Sequence, residues 1–346
     1  VSRLERRAHE ELGALEAAGL RREVAPPRGI DFASNDYLGL RNDERILRAA
    51  RDALSSEGFG AGAARLLRGA HPSHRALEER FAQVQAMEDA LLFPSGYQAN
   101  IGVLQALAPK GWRIVSDEYN HASIVEGCRS ARAETVVVPH NDLGAFDEAI
   151  SGEETLVVTE SVFSMTGDRA PLGELGEICA RKGAALIVDE AHALGIFPPE
   201  GRATLRVNPC GKALVGAGAV VTGPRPVIEL LRSTCRSFLY TTAPPPSIAA
   251  GVLRALEIVA AEPERARRAL QLAKRVSPEA ESCIVPVPCR DNAHALAAQA
   301  LLQESGLDVR CVRPPTVPRA ALRVSVHADR TDEEIDRLLD ALERLP

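Results

Sequence analysis

The stretch AALIVDE, residues 184–190, runs into AHALG, residues 191–195, and decides how the chain is read. A short, β-branched apolar run that ends in Asp189, Glu190 and His192 has the pattern of a strand buried on both faces of a parallel sheet. In open sheets of this kind the ligand crevice lies beyond the carboxyl ends of the strands, which is where Asp189 and His192 fall. Similar runs recur as RIVSD (113–117), TVVVP (135–139), TLVVTE (155–160) and AGAVVTG (217–223), with helical patterns at 73–88 and 171–182 among them. This alternation predicts an α/β fold with a mostly parallel sheet covered by helices on both faces. Beyond residue 245 the texture changes. One long helical segment, 244–274, leads into strand-like CIVPVP (283–288), a helix near 292–306, the extended LDVRCVRPP and ALRVSVH, and a terminal helix at 331–344. The expected organisation is an N-terminal helix and arm (1–45), a large domain (46–250), and a linking helix with a small α+β domain (251–346).

Composition narrows the function classes. The 346 residues carry 41 basic and 47 acidic side chains, a net charge of −6, without a basic block of the kind that binds nucleic acid or an anionic membrane. No membrane span is read in the chain. Seven cysteines, scattered and without a C-x-x-C pair, argue against a disulfide framework or a zinc site, and are expected to be reduced thiols in a cytoplasmic protein. The first residues, VSRLERRAHEELGALEAAGL, place Leu4, Ala8, Leu12, Leu15 and Ala18 at helical spacing and do not resemble a signal peptide.

An isolated D-x-x-H at a strand end serves equally well as a cap, so Asp189 and His192 decide nothing alone. Three other stretches add to them. In LLFPSGYQAN (91–100) an apolar run turns into a helix, leaving the backbone N–H groups of Gly96 and Tyr97 at a helix N-terminus, a ready phosphate site or an ordinary turn. SDEYNHASIVEG (116–127) sets His121 just past another strand end, where a flat ring can lie against a flat ligand or simply face solvent. In NPCGKALVGAGAVVTG (208–223), Lys212 sits among glycines and small apolar residues, the setting in which an amine loses its proton and attacks a carbonyl. A phosphate cradle, a ring cover, a strand-end carboxylate and a lysine nucleophile, taken in this order, describe a site for pyridoxal 5′-phosphate. The carboxylate would keep the pyridine nitrogen protonated.

Further blocks carry a resemblance over nearly the whole chain: NDYLGL (35–40), GAGAARLLRGAHPSHRALEERFA (60–82), TESVFSMTGDRAPL (159–172), FLYTTAPPP (238–246) and VRPPTVP (312–318). With FPSGYQAN, NHASIVEG, VDEAHALG and GKALVGAGAVV they make the chain similar to the α-oxoamine synthases, decarboxylating acyltransferases of the fold-type I pyridoxal-phosphate enzymes. The VRPPTVP block resembles the biotin-biosynthesis branch, which joins L-alanine to a pimeloyl thioester carried on coenzyme A or on acyl carrier protein. The resemblance implies that Lys212 holds the cofactor and moves the proton. It makes Asp189 the partner of the ring nitrogen, places His121 over the ring, and puts His192 and Ser164 near the phenolic oxygen. It also implies phosphate binding by Gly96 and Tyr97, and by Thr241 and Thr242 from a partner subunit in a homodimer. Substrate contacts would come from Asn35, Arg21, Arg313 and Thr316, with Arg313 or Arg21 expected to hold the amino acid's carboxylate, a guanidinium being suited to grip a carboxylate with two parallel hydrogen bonds.

The sequence departs from that pattern in places. Pro209 stands three residues before Lys212, where a phosphate-binding threonine is usual, and brings neither hydroxyl nor N–H. Thr166 replaces a usual aspartate, and the segments 192–212 and 260–285 are shorter than expected. Family members that take glycine with acetyl-CoA, or that make long-chain aminoketones, would share every cofactor residue. A non-catalytic descendant of the fold is a further alternative.

Overall fold

The computed structural model describes residues 1–22, 24–314 and 316–345. Its centre is a seven-stranded sheet in the spatial order Asp89–Phe93, Ala219–Gly223, Leu205–Pro209, Ala185–Asp189, Thr155–Glu160, Arg113–Asp117, Glu134–Val138. All but one of these strands point the same way. Ala219–Gly223 runs antiparallel to both of its neighbours. The mostly parallel α/β sheet read from the sequence is therefore present, closed at one side by an antiparallel insertion.

The reason lies in the runs themselves. Every residue of Thr155–Glu160 is buried, and alternate side chains enter different cores. Leu156, Val158 and Ile187 pack on one face with Val103, Ile124 and Phe238. Val157, Leu186 and Val188 pack on the other with Phe146, Phe163 and Leu175. Two apolar faces are what an uninterrupted Val/Ile/Leu run provides. The helix Leu172–Lys182 returns the chain to Ala185–Asp189 and stops at Gly183, which adopts the left-handed conformation (φ 75°).

Because six strands share one direction, Phe93, Asp117, Val138, Glu160, Asp189 and Pro209 end on a single edge of the sheet. The segments that leave this edge carry Gly96, His121, Ser164, His192 and Lys212. The topology thus gathers residues that lie more than a hundred positions apart in sequence.

The C-terminal part forms a second, antiparallel sheet in the order Arg310–Val312, Ala321–Ser325, Ile284–Pro288, with helices Asn292–Glu304 and Asp332–Glu343. A short strand, Ile30–Asp31, pairs in parallel with Leu307–Asp308 as a separate two-stranded sheet, and the Ser325 N–H donates to the Phe32 carbonyl at 2.8 Å, so the N-terminal arm is tied to the C-terminal part. The segment 244–274 differs from its sequence reading. It is two helices, Pro246–Ala261 and Glu264–Val276, because Pro263 cannot continue the first helix and disfavours helical geometry at Glu262 before it. The N-terminal helix Arg3–Ala17 forms as expected, closed by a Ser2–Glu5 capping box, yet buries none of its residues.

Candidate active site

Beyond the common strand edge lies a cavity of about 300 Å³, lined among others by Gly96, Tyr97, Asn100, His121, Ser123, Glu160, Asp189, His192, Pro209 and Lys212. At one end stands the start of the helix Gly96–Leu107. The Ser95 hydroxyl caps it by accepting the Gln98 N–H at 3.1 Å, which leaves the N–H groups of Gly96 and Tyr97 free to point out of the first turn. Only glycine fits at 96, since a Cβ there would lie 2.9 Å from Pro209 Cγ. Pro209 therefore forms an apolar wall against the cradle and gives it no donor.

Asp189 is buried at the end of its strand and engaged on both carboxylate oxygens. The Ala191 N–H donates to Oδ1 at 2.9 Å and the Asn100 amide to Oδ2 at 2.7 Å. The same Asn100 nitrogen donates to Ser123 Oγ at 2.9 Å, and Ser123 Oγ lies 2.8 Å from His121 Nδ1. The Ser123 N–H also donates to His121 Nδ1, at 3.2 Å. Since a backbone N–H can only donate, Nδ1 is the acceptor, and the neutral ring carries its proton on Nε2. Burial and the nearby Lys212 lower the proton affinity of His121 against the pull of Asp189, which favours that neutral ring.

Lys212 is the only lysine on the cavity wall, and the whole chain has just Lys110, Lys182 and Lys274 besides. Burial lowers its proton affinity below the usual lysine range, Arg323 acting the same way, while Asp189 and Glu160 oppose the shift. His192 is pushed well below the ordinary imidazole value, first by burial and then by Lys212, Arg323 and His121. It stays neutral, with Nδ1 2.6 Å from the Tyr37 hydroxyl, which in turn donates to Asn35 Oδ1 at 3.0 Å. Ser164 lies just outside the lining, its carbonyl accepting Arg323 Nε at 2.8 Å.

Not every expected residue comes to this cavity. Thr241 and Thr242 do not line it; their turn is fastened to the loop at 63 by the Ala243 N–H donating to the Ala63 carbonyl at 3.0 Å. Arg21, Arg313 and Thr316 meet instead in a second recess of about 690 Å³, with Arg22, Arg28 and Arg310 on its wall. There Arg313 donates to the Gly19 carbonyl, Arg21 pairs with Glu16 at 2.9 Å, and it is Arg22 that reaches Thr316 Oγ1, at 3.2 Å.

Sequence reading missed Glu160, Asn100, Ser123, Tyr37 and Arg323. Glu160 had a signal, an acid closing the apolar run TLVVTE as Asp189 closes its own run; that the two stand in register on adjacent strands comes from the structure. The amide of Asn100, on an otherwise apolar helix face, was the other.

The residues present suit pyridoxal phosphate: a helix N-terminus whose first N–H groups have no partner among the described residues, one buried lysine of lowered proton affinity, and a buried carboxylate oriented by an amide. Comparison with known proteins agrees. The family described as aminotransferase class I and II matches residues 27–342. An 8-amino-7-oxononanoate synthase of Anaeromyxobacter dehalogenans (strain 2CP-1 / ATCC BAA-258) is 43% identical over 371 aligned residues, covering 96% of this chain and 93% of the relative. One of Methylobacterium radiotolerans is 41% identical, with 96% of each chain covered. Among solved structures, a serine palmitoyltransferase from S. paucimobilis with bound PLP-myriocin aldimine superposes with a TM-score of 0.89 at 28% identity, covering 99% of this chain and 98% of that one. An 8-amino-7-oxononanoate synthase from Francisella tularensis gives 0.77 at 30% identity, covering 91% and 96%.

Proposed function

We infer the function from the premise that this chain belongs to the class I and II aminotransferase family and, within it, groups with the 8-amino-7-oxononanoate synthases of the α-oxoamine synthase type. It is a pyridoxal-phosphate-dependent C-acyltransferase with 8-amino-7-oxononanoate synthase activity, in biotin biosynthesis. The reaction joins L-alanine to the acyl group of a pimeloyl thioester and releases carbon dioxide and the free thiol. Bound pyridoxal phosphate supplies an aldehyde that condenses with amines and a protonated ring that takes up the electrons released at the substrate's Cα.

The chain's own residues do the rest. Lys212 Nζ would hold the cofactor and, once displaced, carry the proton taken from Cα, a task for which its lowered proton affinity suits it. Asp189, fixed by Asn100, would keep the ring nitrogen protonated in a site largely shielded from water. Gly96 and Tyr97 would donate their N–H groups to the phosphate. His121, its proton on Nε2, can donate a hydrogen bond to an oxygen that gains charge as the carbon–carbon bond forms. His192 and Ser164 would border the cofactor's phenolic side. We assign the arginine recess, with Arg313, Arg21 and Thr316, to a substrate carboxylate, because a pimeloyl thioester ends in one and guanidinium forks match it. Asn35, bonded to Tyr37 and through it to His192, would border the substrate as well.

The proposed assembly is a homodimer. The exposed apolar residues Leu4, Leu12 and Leu15 of the first helix, and Phe59, Leu66, Leu67 and Tyr240 elsewhere, call for a covering surface. Thr241 and Thr242, idle in their own chain, would then complete the phosphate site of the partner. We place the protein in the cytoplasm, a setting that suits its seven free thiols. The observation that carries the functional reading is the cavity itself, with Lys212 facing Asp189 and Gly96. The test offers the purified protein L-alanine, glycine or serine against pimeloyl, acetyl or palmitoyl thioesters, on coenzyme A and on carrier protein, with products identified by mass. L-alanine with pimeloyl thioester should be preferred; glycine with acetyl, or serine with palmitoyl, contradicts the substrate assignment.

A further inference from the structure

We propose that Glu160 is a positioning residue, whose buried carboxyl group fixes the loop that carries His121 and thereby sets the direction in which the imidazole meets the cavity. This rests on the reaction proposed above, while the assignment of Lys212 does not depend on it.

Glu160 ends a strand whose every residue is buried, and is itself 1% exposed. Its side chain reaches sideways to the segment between the strand Arg113–Asp117 and the helix Ala122–Ser130, where Oε1 accepts the His121 N–H at 2.6 Å. The Ser164 N–H, on the neighbouring loop, is near enough to the same carboxyl group to oppose part of the effect of its burial. Asp189 stands opposite Glu160 in strand register and is joined through Asn100 and Ser123 to the ring of His121. His121 is thus held twice, by its backbone from Glu160 and by its ring from Ser123. The two restraints leave it one direction.

Glu160 needs no negative charge for this, since a carbonyl oxygen suffices to accept an N–H. Burial and the neighbouring charge of Asp189 raise its proton affinity well above the usual range, which favours the neutral acid. The consequence is specific: an amide, which keeps the carbonyl oxygen, should replace it, and a methyl group should not.

The experiment compares the pyridoxal-phosphate-loaded protein with E160Q and E160A, reading the absorption and circular dichroism of the bound cofactor, then kcat and KM for L-alanine. E160Q is expected to keep the spectra and kcat of the parent protein. E160A should still be labelled at Lys212 by borohydride, but with an altered cofactor circular dichroism and a kcat lower by about 10²-fold, the cost of a misplaced catalytic group. Its KM should move far less. A spectrum and kcat in E160A equal to those of the parent protein would overturn the inference. So would an E160Q as impaired as E160A, because charge rather than an acceptor would then be what matters; E160Q decides the matter even where E160A does not fold. Labelling of Lys212 in both variants separates a failure here from a failure of the cofactor reading.

Discussion

The cavity around Lys212 and the arginine recess beside Gly19 are built from opposite materials. The first is made of strand ends and the turns that leave them, holds one cation and two buried acids, and is fixed by hydrogen bonds that close on one another. The second is made of a helix end, an arm and a loop of the small domain, and carries Arg21, Arg22, Arg28, Arg310 and Arg313 against Glu16 on its wall and Asp308, which pairs with Arg310 at 2.8 Å. A rigid sheet edge places groups to within tenths of an ångström, as proton transfer and ring-nitrogen pairing require. A basin of long guanidinium side chains gives charge and reach, as selection of an anionic substrate requires. Chemistry and selection are therefore separable here, and substitutions in the two regions should fail in different ways.

The largest effect is expected at Asp189→Asn. An amide cannot keep the ring nitrogen protonated, and loss of that transition-state interaction should lower kcat by on the order of 10³-fold or more while cofactor still binds. Turnover close to normal in single-turnover and steady-state assays would hand the role to another acid and blur the contrast between the regions.

Next comes a clamp at the same sheet edge. His140 lies between Asp117 Oδ1 at 2.9 Å and Asp168 Oδ2 at 2.7 Å, stacked on Tyr119, and ties the strand ends to the loop that carries Ser164. Burial alone would lower its proton affinity, yet the two carboxylates outweigh burial and raise its pKa to about 9. A folded-state pKa above the ordinary value of 6.5 means that the stabilisation is complete below pH 6.5 and is lost as pH rises through about 9. It should amount to roughly 2 kcal/mol, and His140→Gln should flatten the fall in urea midpoint across that window. An unchanged slope would remove the clamp from the account.

In the recess, Arg313→Ala should raise KM for the pimeloyl thioester by about tenfold, a charge-assisted hydrogen bond's worth, while cofactor affinity stays as it is. A change in the cofactor spectrum instead would join the two regions that the comparison separates. The smallest effect is a gain. Pro209→Thr restores a hydroxyl beside Gly96 and should tighten pyridoxal phosphate about fivefold by equilibrium dialysis, since one added hydrogen bond contributes about 1 kcal/mol. Weaker binding would show that the proline wall shapes the cradle.

The same division governs how much could be read from sequence. Apolar runs ending in Asp189 and Asp117, and the small-residue setting of Lys212, made the sheet and the centre of the site legible, because burial writes itself into local periodicity. The antiparallel insertion Ala219–Gly223 was not legible, since a doubly buried strand shows the same run in either direction. Nor was the brace of Asn100, Ser123 and Glu160, which depends on which strands become neighbours. In the recess, the adjacent arginines 21 and 22 look alike in sequence; only the path of the chain past the first helix turns Arg22 to Thr316 and Arg21 back to Glu16.

The most direct test of the central claim is chemical. The protein is incubated with pyridoxal phosphate, reduced with borohydride, digested, and the modified peptide located by mass spectrometry. A visible absorption band before reduction and a single stoichiometric label on Lys212 are expected. A label on Lys110, Lys182 or Lys274, or none at all, would contradict the claim that the sheet edge holds the cofactor.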